Sequence, residues 1–476
     1  MNPMGAVATQ PAFLPFGSLE WFKRELAPTP GRARRTAIMV GAAVLCVIIS
    51  MTLQVPELSV TAYMPFFVSK ENKFLTTVTG LIGFIGLTIG IIGTLLLYKF
   101  TYGHPELRIP GMAIALFLGM WLSRVFVLGP LGFLIGFIVA VSQSVGEEVP
   151  SPELLVRGLL WLWVAIAYGA GLTVVLNLLF LPDEASPATQ SPKPKSLFAS
   201  DAFTNPAHVQ FALKVTFAAM ICYIFYMAID WSGIHTALIT CTFIALETTG
   251  ATLHKGVLRI GGCVIGGALA LLTIVFLMPH METIASLVVV IACASAIAGW
   301  VAAGTELISY AGLQIAFAFF YSVFQGYAPD TDLDNVRNRV VGILLGLIVT
   351  GLVFQYIWPE RTIDRLRAAL RQAFRELSQL LTTHDQGTLV LIGQISAGLA
   401  QARRQAELAS FEYEESPTAD QVSQTRMKTI LAHAEEIFAS AKSLISDAPS
   451  PKSSETRNQM RTVLLSEIAT ETQKLG

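Results

Sequence analysis

The chain has 476 residues, 53% hydrophobic and 14% charged, with a mean hydropathy of +0.59 and a formal charge of −1. Soluble domains carry roughly a quarter charged residues, so this deficit, concentrated in long apolar runs, makes lipid the solvent for much of the chain. No basic stripe with interleaved aromatics occurs, which argues against nucleic acid, and five scattered cysteines without a CxxC suggest neither a disulfide framework nor a zinc site.

Residues 1–35 are polar and punctuated by Pro and Gly, and read as a cytoplasmic or interfacial segment. Within them "SLEWFKREL" (Ser18–Leu26) sets Leu19, Trp21, Phe22 and Leu26 among Lys23 and Arg24, the pattern of a short helix lying in the membrane interface. A first transmembrane half, 36–182, carries apolar segments near 36–55, 74–98, 109–124, 126–144 and 156–181, with a shorter one at Leu58–Val68. Residues 183–207 are Pro/Ser-rich and read as a cytoplasmic linker. A second half, 208–360, carries segments near 209–229, 233–250, 257–278, 284–301, 307–325 and 338–358. Beyond Pro359, Ile363, Leu366, Leu370, Phe374, Leu377 and Leu381 recur at helical spacing among arginines, so 361–476 reads as a cytoplasmic helical domain.

The two halves share punctuation. Each third segment is glycine-studded (Gly80–Gly93 and Arg259–Ala270), and Trp121 and Trp300 mark the fourth segments. An acidic Pro-containing loop precedes each sixth segment, and each sixth segment ends in a proline near an acid. The fold class expected is therefore all-α integral membrane: two repeated bundles of about six helices in parallel orientation, plus the C-terminal helical domain. Lys and Arg place Arg32, Arg34, Arg35, Lys70, Lys73, Lys255 and Arg259 on the inner side, with both termini cytoplasmic; Lys99 and Arg108 dissent. Gly86-xxx-Gly90 and Gly262-xxx-Gly266 fit close helix packing, within the chain or in a homo-oligomer.

"DWSGIHTALITCTFIALETTG" (Asp230–Gly250) puts titratable groups into an apolar stretch. On a helix over 234–249, Thr236, Thr240 and Glu247 share one face and His235, Thr242 and Thr249 another. Ionisable groups facing lipid cost on the order of 3 kcal/mol each, so both faces should meet protein or a wet space. Asp230 capping the next helix, His235 bonding a backbone carbonyl and Glu247 snorkelling are the plain alternatives. Arg337 and Arg339 open the last span, where they either snorkel or form a cationic mouth for an anion, with Arg157 at the corresponding place in the first half.

The run from "NPAHVQFALKVTF" to "VLRIGGCVIGG" (Asn205–Gly267), with "ISYAGLQIAFAF" (Ile308–Phe319) and "VRNRVVGILLG" (Val336–Gly346), resembles the second membrane half of the fusaric acid resistance, or aromatic acid exporter, family. The resemblance implies a Gram-negative inner-membrane efflux component. It implies aromatic acids or amphipathic drugs as substrates, and a periplasmic membrane-fusion protein and an outer-membrane channel as partners. Many relatives carry a sizeable domain between their halves, which this short linker lacks.

The leading expectation is proton-coupled export, with Glu247 as proton carrier and His235 or Asp230 as relay. Trp231, Thr236, Thr240, Tyr310, Gln314, Arg337 and Arg339 are the candidate substrate contacts. A passive organic-anion channel and a non-transporting scaffold are the alternatives. No Walker A motif, nucleophile–base arrangement or metal motif stands out, so no enzyme activity, cofactor or metal is expected.

Overall fold

The computed structural model describes residues 16–146, 149, 151–182, 196–332, 334–382, 388–412, 417–446 and 454–475. Helix α1 (Leu19–Leu26) is followed by a run of six: α2 (Arg32–Leu53), α3 (Leu58–Val68), α4 (Lys73–Thr101), α5 (Pro105–Val125), α6 (Gly129–Ser144) and α7 (Pro152–Phe180). A second run of six follows: α8 (Pro206–Ala228), α9 (Thr236–Ile244), α10 (Thr249–Leu272), α11 (Ile284–Ala302), α12 (Ser309–Val323) and α13 (Asp334–Tyr356). A two-stranded hairpin, β1 (Phe324–Gln325) and β2 (Ala328–Pro329), joins α12 to α13. The remaining helices are α14 (Thr362–Thr382), α15 (Thr388–Leu408), α16 (Pro417–Ser446) and α17 (Ser454–Lys474).

Among the described residues eight helices are long and apolar enough to cross a membrane: α2, α4, α5, α7, α8, α10, α11 and α13. Helices α3, α6, α9 and α12 are apolar but shorter. The 11 residues of α3 cover only about 16 Å, so its ends must find partners inside the protein. Its first amide does so: Leu58 N donates to the Gly326 carbonyl in the β1–β2 hairpin at 3.1 Å.

Contacts divide the chain into two units, one of residues up to Ala245 with Lys255–Ile357, the other of Leu246–His254 with Trp358–Gly476. In the first unit the two runs of six are interleaved instead of forming separate bundles. One apolar core draws on α2 and α3 together with α11 and α12 (Val47, Leu58, Ile291, Phe320). A second draws on α5 and α6 together with α8, α9 and α13 (Leu116, Ala140, Val215, Leu238, Phe354). Within the first run α3 packs on α2 and α7, and α6 on α4 and α5; within the second α9 packs on α8 and α13, and α12 on α11.

The glycines of α4 and α10 are consumed inside the chain. Gly86 and Gly90 lie against Leu134 and Ile138 of α6, and Gly262 and Gly266 against Ala311, Gln314 and Ile315 of α12. The close helix packing expected of these stripes is made within the chain. Gly312 makes the tightest approach, its α-carbon facing the backbone of Ala298 and Ala302 on α11. Residues 183–195 lie outside the described residues, but Leu197–Ala199 pair with the α5–α6 connection, Val127 N donating to Leu197 O and Ala199 N to Val125 O.

The helix expected over 234–249 breaks. Helix α9 stops at Ile244, and Ala245 is extended at φ −58°, ψ 121°. Thr252 Oγ1 accepts from Leu246 N at 3.0 Å and Thr248 Oγ1 from Ala251 N at 3.3 Å, so the threonines start α10 eight residues before the expected 257.

The second unit is amphipathic helix packing. Helix α14 packs on α15, α16 and α17 and buries Leu366, Leu370, Phe374, Leu377 and Leu381 of the series read from the sequence, with Ile363 half-buried. Glu412 ties the entry of α14 to residue 250, accepting from Thr362 N at 2.5 Å and Gly250 N at 3.1 Å.

Helix α1 buries Trp21 and exposes Leu19, Phe22 and Leu26. Its end is fixed by Arg32, whose guanidinium donates to the carbonyls of Glu25, Ala27 and Trp300 at 2.7–2.9 Å and lies over the Trp300 ring.

The close crossing of α11 and α12 yields a test. A side chain at Gly312 would meet backbone, which cannot rotate away, whereas Gly171 has open space around it. Gly312→Leu should lose most of the monodisperse protein recovered in detergent, by fluorescence size-exclusion chromatography. Gly171→Leu should keep it.

Candidate functional site

A cavity of about 460 Å³ lies within the first unit, lined from α3, α4, α6, α7, α9, α10 and α12. That volume suits a ligand of one or two rings. Most of the wall is apolar or aromatic. Phe137 and Phe243 meet edge to face at 4.8 Å, as do Tyr63 and Phe317 at 4.7 Å. Its polar lining includes Glu57, Tyr63, His235, Arg259, Gln314 and Tyr321.

Arg259 carries the electrostatics. It is the eleventh residue of α10 and 1% exposed. Nε donates to Thr240 Oγ1 at 3.1 Å, and Nη1 to Tyr310 OH and Gln314 Oε1 at 3.1 and 3.0 Å. Thr240 is itself held by donating to the Thr236 carbonyl at 2.8 Å. All three acceptors are neutral, and Nη2 has no partner.

Arg339 on α13 is 4% exposed. Its guanidinium lies 3.7 Å from the Phe317 ring centroid and 5.1 Å from that of Tyr321, both cavity residues. Nε and Nη2 have no hydrogen-bond partner. Among the described residues no carboxylate lies within 4.0 Å of either arginine. Arg32 shows what a structural arginine looks like in this fold: equally buried, but fully engaged by backbone carbonyls. Guanidinium groups buried without a counter-charge are chemically suited to pair with an anion.

The two runs contribute unequally. Gly86 of α4 and Gly262 of α10 make matching approaches to α6 and α12, which sets Gly83 at the position of Arg259 and Leu134 at that of Gln314. All four line the cavity, so one wall is cationic and the facing one apolar.

The residues singled out in the sequence divide accordingly. His235, Thr240, Tyr310, Gln314 and Arg339 belong to this constellation. His235 also shows its plainer role, its Nδ1 lying 3.2 Å from the Ser232 carbonyl. Thr236 is buried against Gly342 at the α9–α13 crossing. Trp231 lies off the cavity, donating from Nε1 to Asn338 at 3.1 Å. Arg337 is exposed and pairs with Asp334 at 3.2 Å, as Arg157 does with Glu153 at 2.9 Å. Asp230 is exposed, with the left-handed φ of 53° that terminates α8, so it ends a helix and does not reach the cavity.

Glu247 requires a correction of placement. It falls in the break between α9 and α10, off the face shared by Thr236 and Thr240. Its side chain is 62% exposed and sits 3.7 Å from Arg365 in the second unit. The premise of a carboxylate embedded among apolar helices does not hold there. Glu147 and Glu148 of the acidic loop lie outside the described residues.

Sequence reasoning missed Arg259 and Glu57. Arg259 was assigned to a helix end because the helix start was placed too late. An arginine between Leu258 and Ile260, followed by a glycine-rich packing stripe, was the available signal. Glu57 had only its position after Pro56 to mark it.

Residues 208–383 match the Fusaric acid resistance protein family. The chain is 23% identical over 511 aligned residues to Multidrug resistance protein MdtO of Escherichia coli O6:H1, covering 76% of this chain and 75% of that one. It is 36% identical over 197 residues to the protein of that name in Shigella flexneri, covering 41% of this chain and 29% of that one. For Escherichia coli strain K12 the identity is 36% over 200 residues, covering 42% and 29%. The chain thus spans three quarters of the first relative and less than a third of the other two in these alignments. No solved structure matches.

The contrast between the arginines is open to measurement. Arg339→Met removes an unpaired buried charge and should leave the ligand-free thermal midpoint in detergent unchanged or higher. Arg32→Met removes donors that several carbonyls depend on and should lower it by several degrees, for a loss of about 2–4 kcal/mol. Equal losses in both would show that Arg339 is a structural group like Arg32.

Proposed function

We propose that this chain, which carries a fusaric acid resistance family domain over residues 208–383, is an inner-membrane efflux transporter for aromatic or other amphipathic organic acids. The observation that supports it best is the cavity, with the unneutralised guanidiniums of Arg259 and Arg339 behind an aromatic wall. A carboxylate supplies the missing charge, in the bidentate geometry a guanidinium accepts. Phe137, Phe243, Phe317 and Tyr321 offer ring faces and edges to the aromatic body.

In this reading the two runs of six arose by duplication and lie parallel, and both termini are cytoplasmic. The matching glycine approaches of α4 and α10 and the parallel pairings of the short helices α3 and α9 support the duplication. The second run acquired the charge and the first kept an apolar surface, so an amphipathic anion is gripped by unlike walls. Export is proton-coupled, and a periplasmic membrane-fusion protein and an outer-membrane channel carry the substrate onward. The partners rest on the family resemblance alone.

Two experiments test this. In inverted membrane vesicles, uptake of a labelled aromatic carboxylate should be driven by an imposed pH gradient. Arg259→Gln and Arg339→Gln should each lower it at least tenfold, with Arg339→Lys recovering part, because an ammonium keeps the charge but loses the fork. Equal uptake in all three, at normal expression, would remove the cavity from the mechanism, and uptake that follows voltage alone would favour a channel. Reporter fusions near Asp332 and after residue 476 should report outside and inside respectively; a periplasmic C-terminus would overturn the parallel arrangement.

A further inference from the structure

Among the described residues one carboxylate lines the cavity, that of Glu57. It follows Pro56 in the short connection between α2 and α3. Its backbone is pinned: the Glu57 carbonyl accepts from Thr61 N and Thr61 Oγ1, each at 3.1 Å, and the next amide donates to Gly326 O. The side chain is not pinned. Half-buried, it has no hydrogen-bond or ion-pair partner among the described residues. Tyr63, one turn and a half further along, interacts electrostatically with both Glu57 and Arg339, so the carboxylate and the cation share one field. A partly buried carboxylate with no partner is as unusual as a buried guanidinium without a counter-charge, and Glu57 and Arg259 line the same space.

The titratable and charged groups lining this space, besides Glu57, are Tyr63 on α3, His235 before α9, Arg259 on α10 and Tyr321 on α12, and Arg339 on α13 lies behind the Phe317 and Tyr321 rings. Helices α4, α6 and α7 bring none to the lining among the described residues. With Glu57 ionised and His235 neutral the site holds a net charge of one cation, and with Glu57 protonated it holds two. An incoming anion is therefore opposed by ionised Glu57 and welcomed once that carboxylate takes a proton.

We propose that Glu57 is the proton-binding group of this cavity, and that its protonation admits the organic anion. The inference rests on the reading of the cavity as an anion site and adds what regulates its occupancy. By linkage the coupling is reciprocal: the bound anion favours protonated Glu57 as much as protonation favours the anion. About one proton is then taken up with each anion bound at equilibrium.

The test uses the purified full chain in lipid nanodiscs, with benzenesulfonate as probe because it stays ionised throughout. Equilibrium binding is measured between pH 8 and pH 5.5, and proton uptake is followed with an indicator dye in weak buffer. Wild type should bind at least five-fold more tightly at the lower pH, with about one proton taken up per probe. Glu57→Gln should bind tightly at both pH values with no proton uptake. Glu57→Asp and His235→Gln should both keep the pH dependence. If Glu57→Gln retains the wild-type pH dependence, or His235→Gln abolishes it, Glu57 is not the group and the anion site stands without it. If wild type binds no probe at any pH, the cavity reading fails and takes this inference with it. The proton count in wild type is decisive without any variant, should Glu57→Gln be recovered poorly.

Discussion

Two arginines buried in an apolar unit without a counter-charge are the constraint on which the account depends. Each ionised group placed inside a membrane protein costs several kcal/mol unless something offsets it. Arg32 offsets its cost within the chain, through carbonyls of Glu25, Ala27 and Trp300. Arg259 is only partly offset, by a threonine, a tyrosine and a glutamine that leave its full charge in place. Arg339 rests on two rings, which attract a cation but do not neutralise it. A fold that tolerates such a charge pair is suited to receive a negative one.

Holding Arg259 in place is largely a matter of glycine. With no side chain at Gly262 and Gly266, α10 comes close enough to α12 for Gln314 and Tyr310 to reach the guanidinium one turn away. The third acceptor, Thr240, comes from α9, a helix too short to span. Its neighbours α8 and α13 enclose it and spare its ends from lipid. All four of the short helices, α3, α6, α9 and α12, contribute to the lining of the cavity. The interleaving of the two runs brings walls of opposite character to face each other across it.

Much of this was legible in the sequence, for identifiable reasons. Apolar runs bounded by charge or proline mark helices whatever their tertiary setting, so all twelve segments were found, including Leu58–Val68. What failed were decisions between competing local signals. The apolar stretch through Ile244 argues for continuing a helix to Gly250, while Thr248 and Thr249 argue for starting a new one, and capping won. That single boundary displaced two functional readings. It put Glu247 on a helix it does not join and put Arg259 at a helix end when it lies well inside. Gln314, Tyr310 and Thr240 were recognisable as polar groups in apolar segments, but their common purpose required the arginine. Glu57 was invisible for another reason: its neighbours across the cavity come from elements as distant in the chain as α10 and α12, and no local pattern encodes that meeting. Interleaving of the two runs is likewise a property of long-range packing that apolar periodicity does not carry.

The most direct test of the central claim is to locate an anion in the protein. Crystals or particles prepared with 4-bromobenzoate would reveal the ligand in a density map, or the bromine by its anomalous signal. The account predicts a single strong site, with the bromine among Phe137, Phe243 and their neighbours and the carboxylate directed at Arg259 and Arg339. A vacant cavity in a protein saturated with ligand, or a carboxylate bound only to exposed groups such as Arg337, would contradict it.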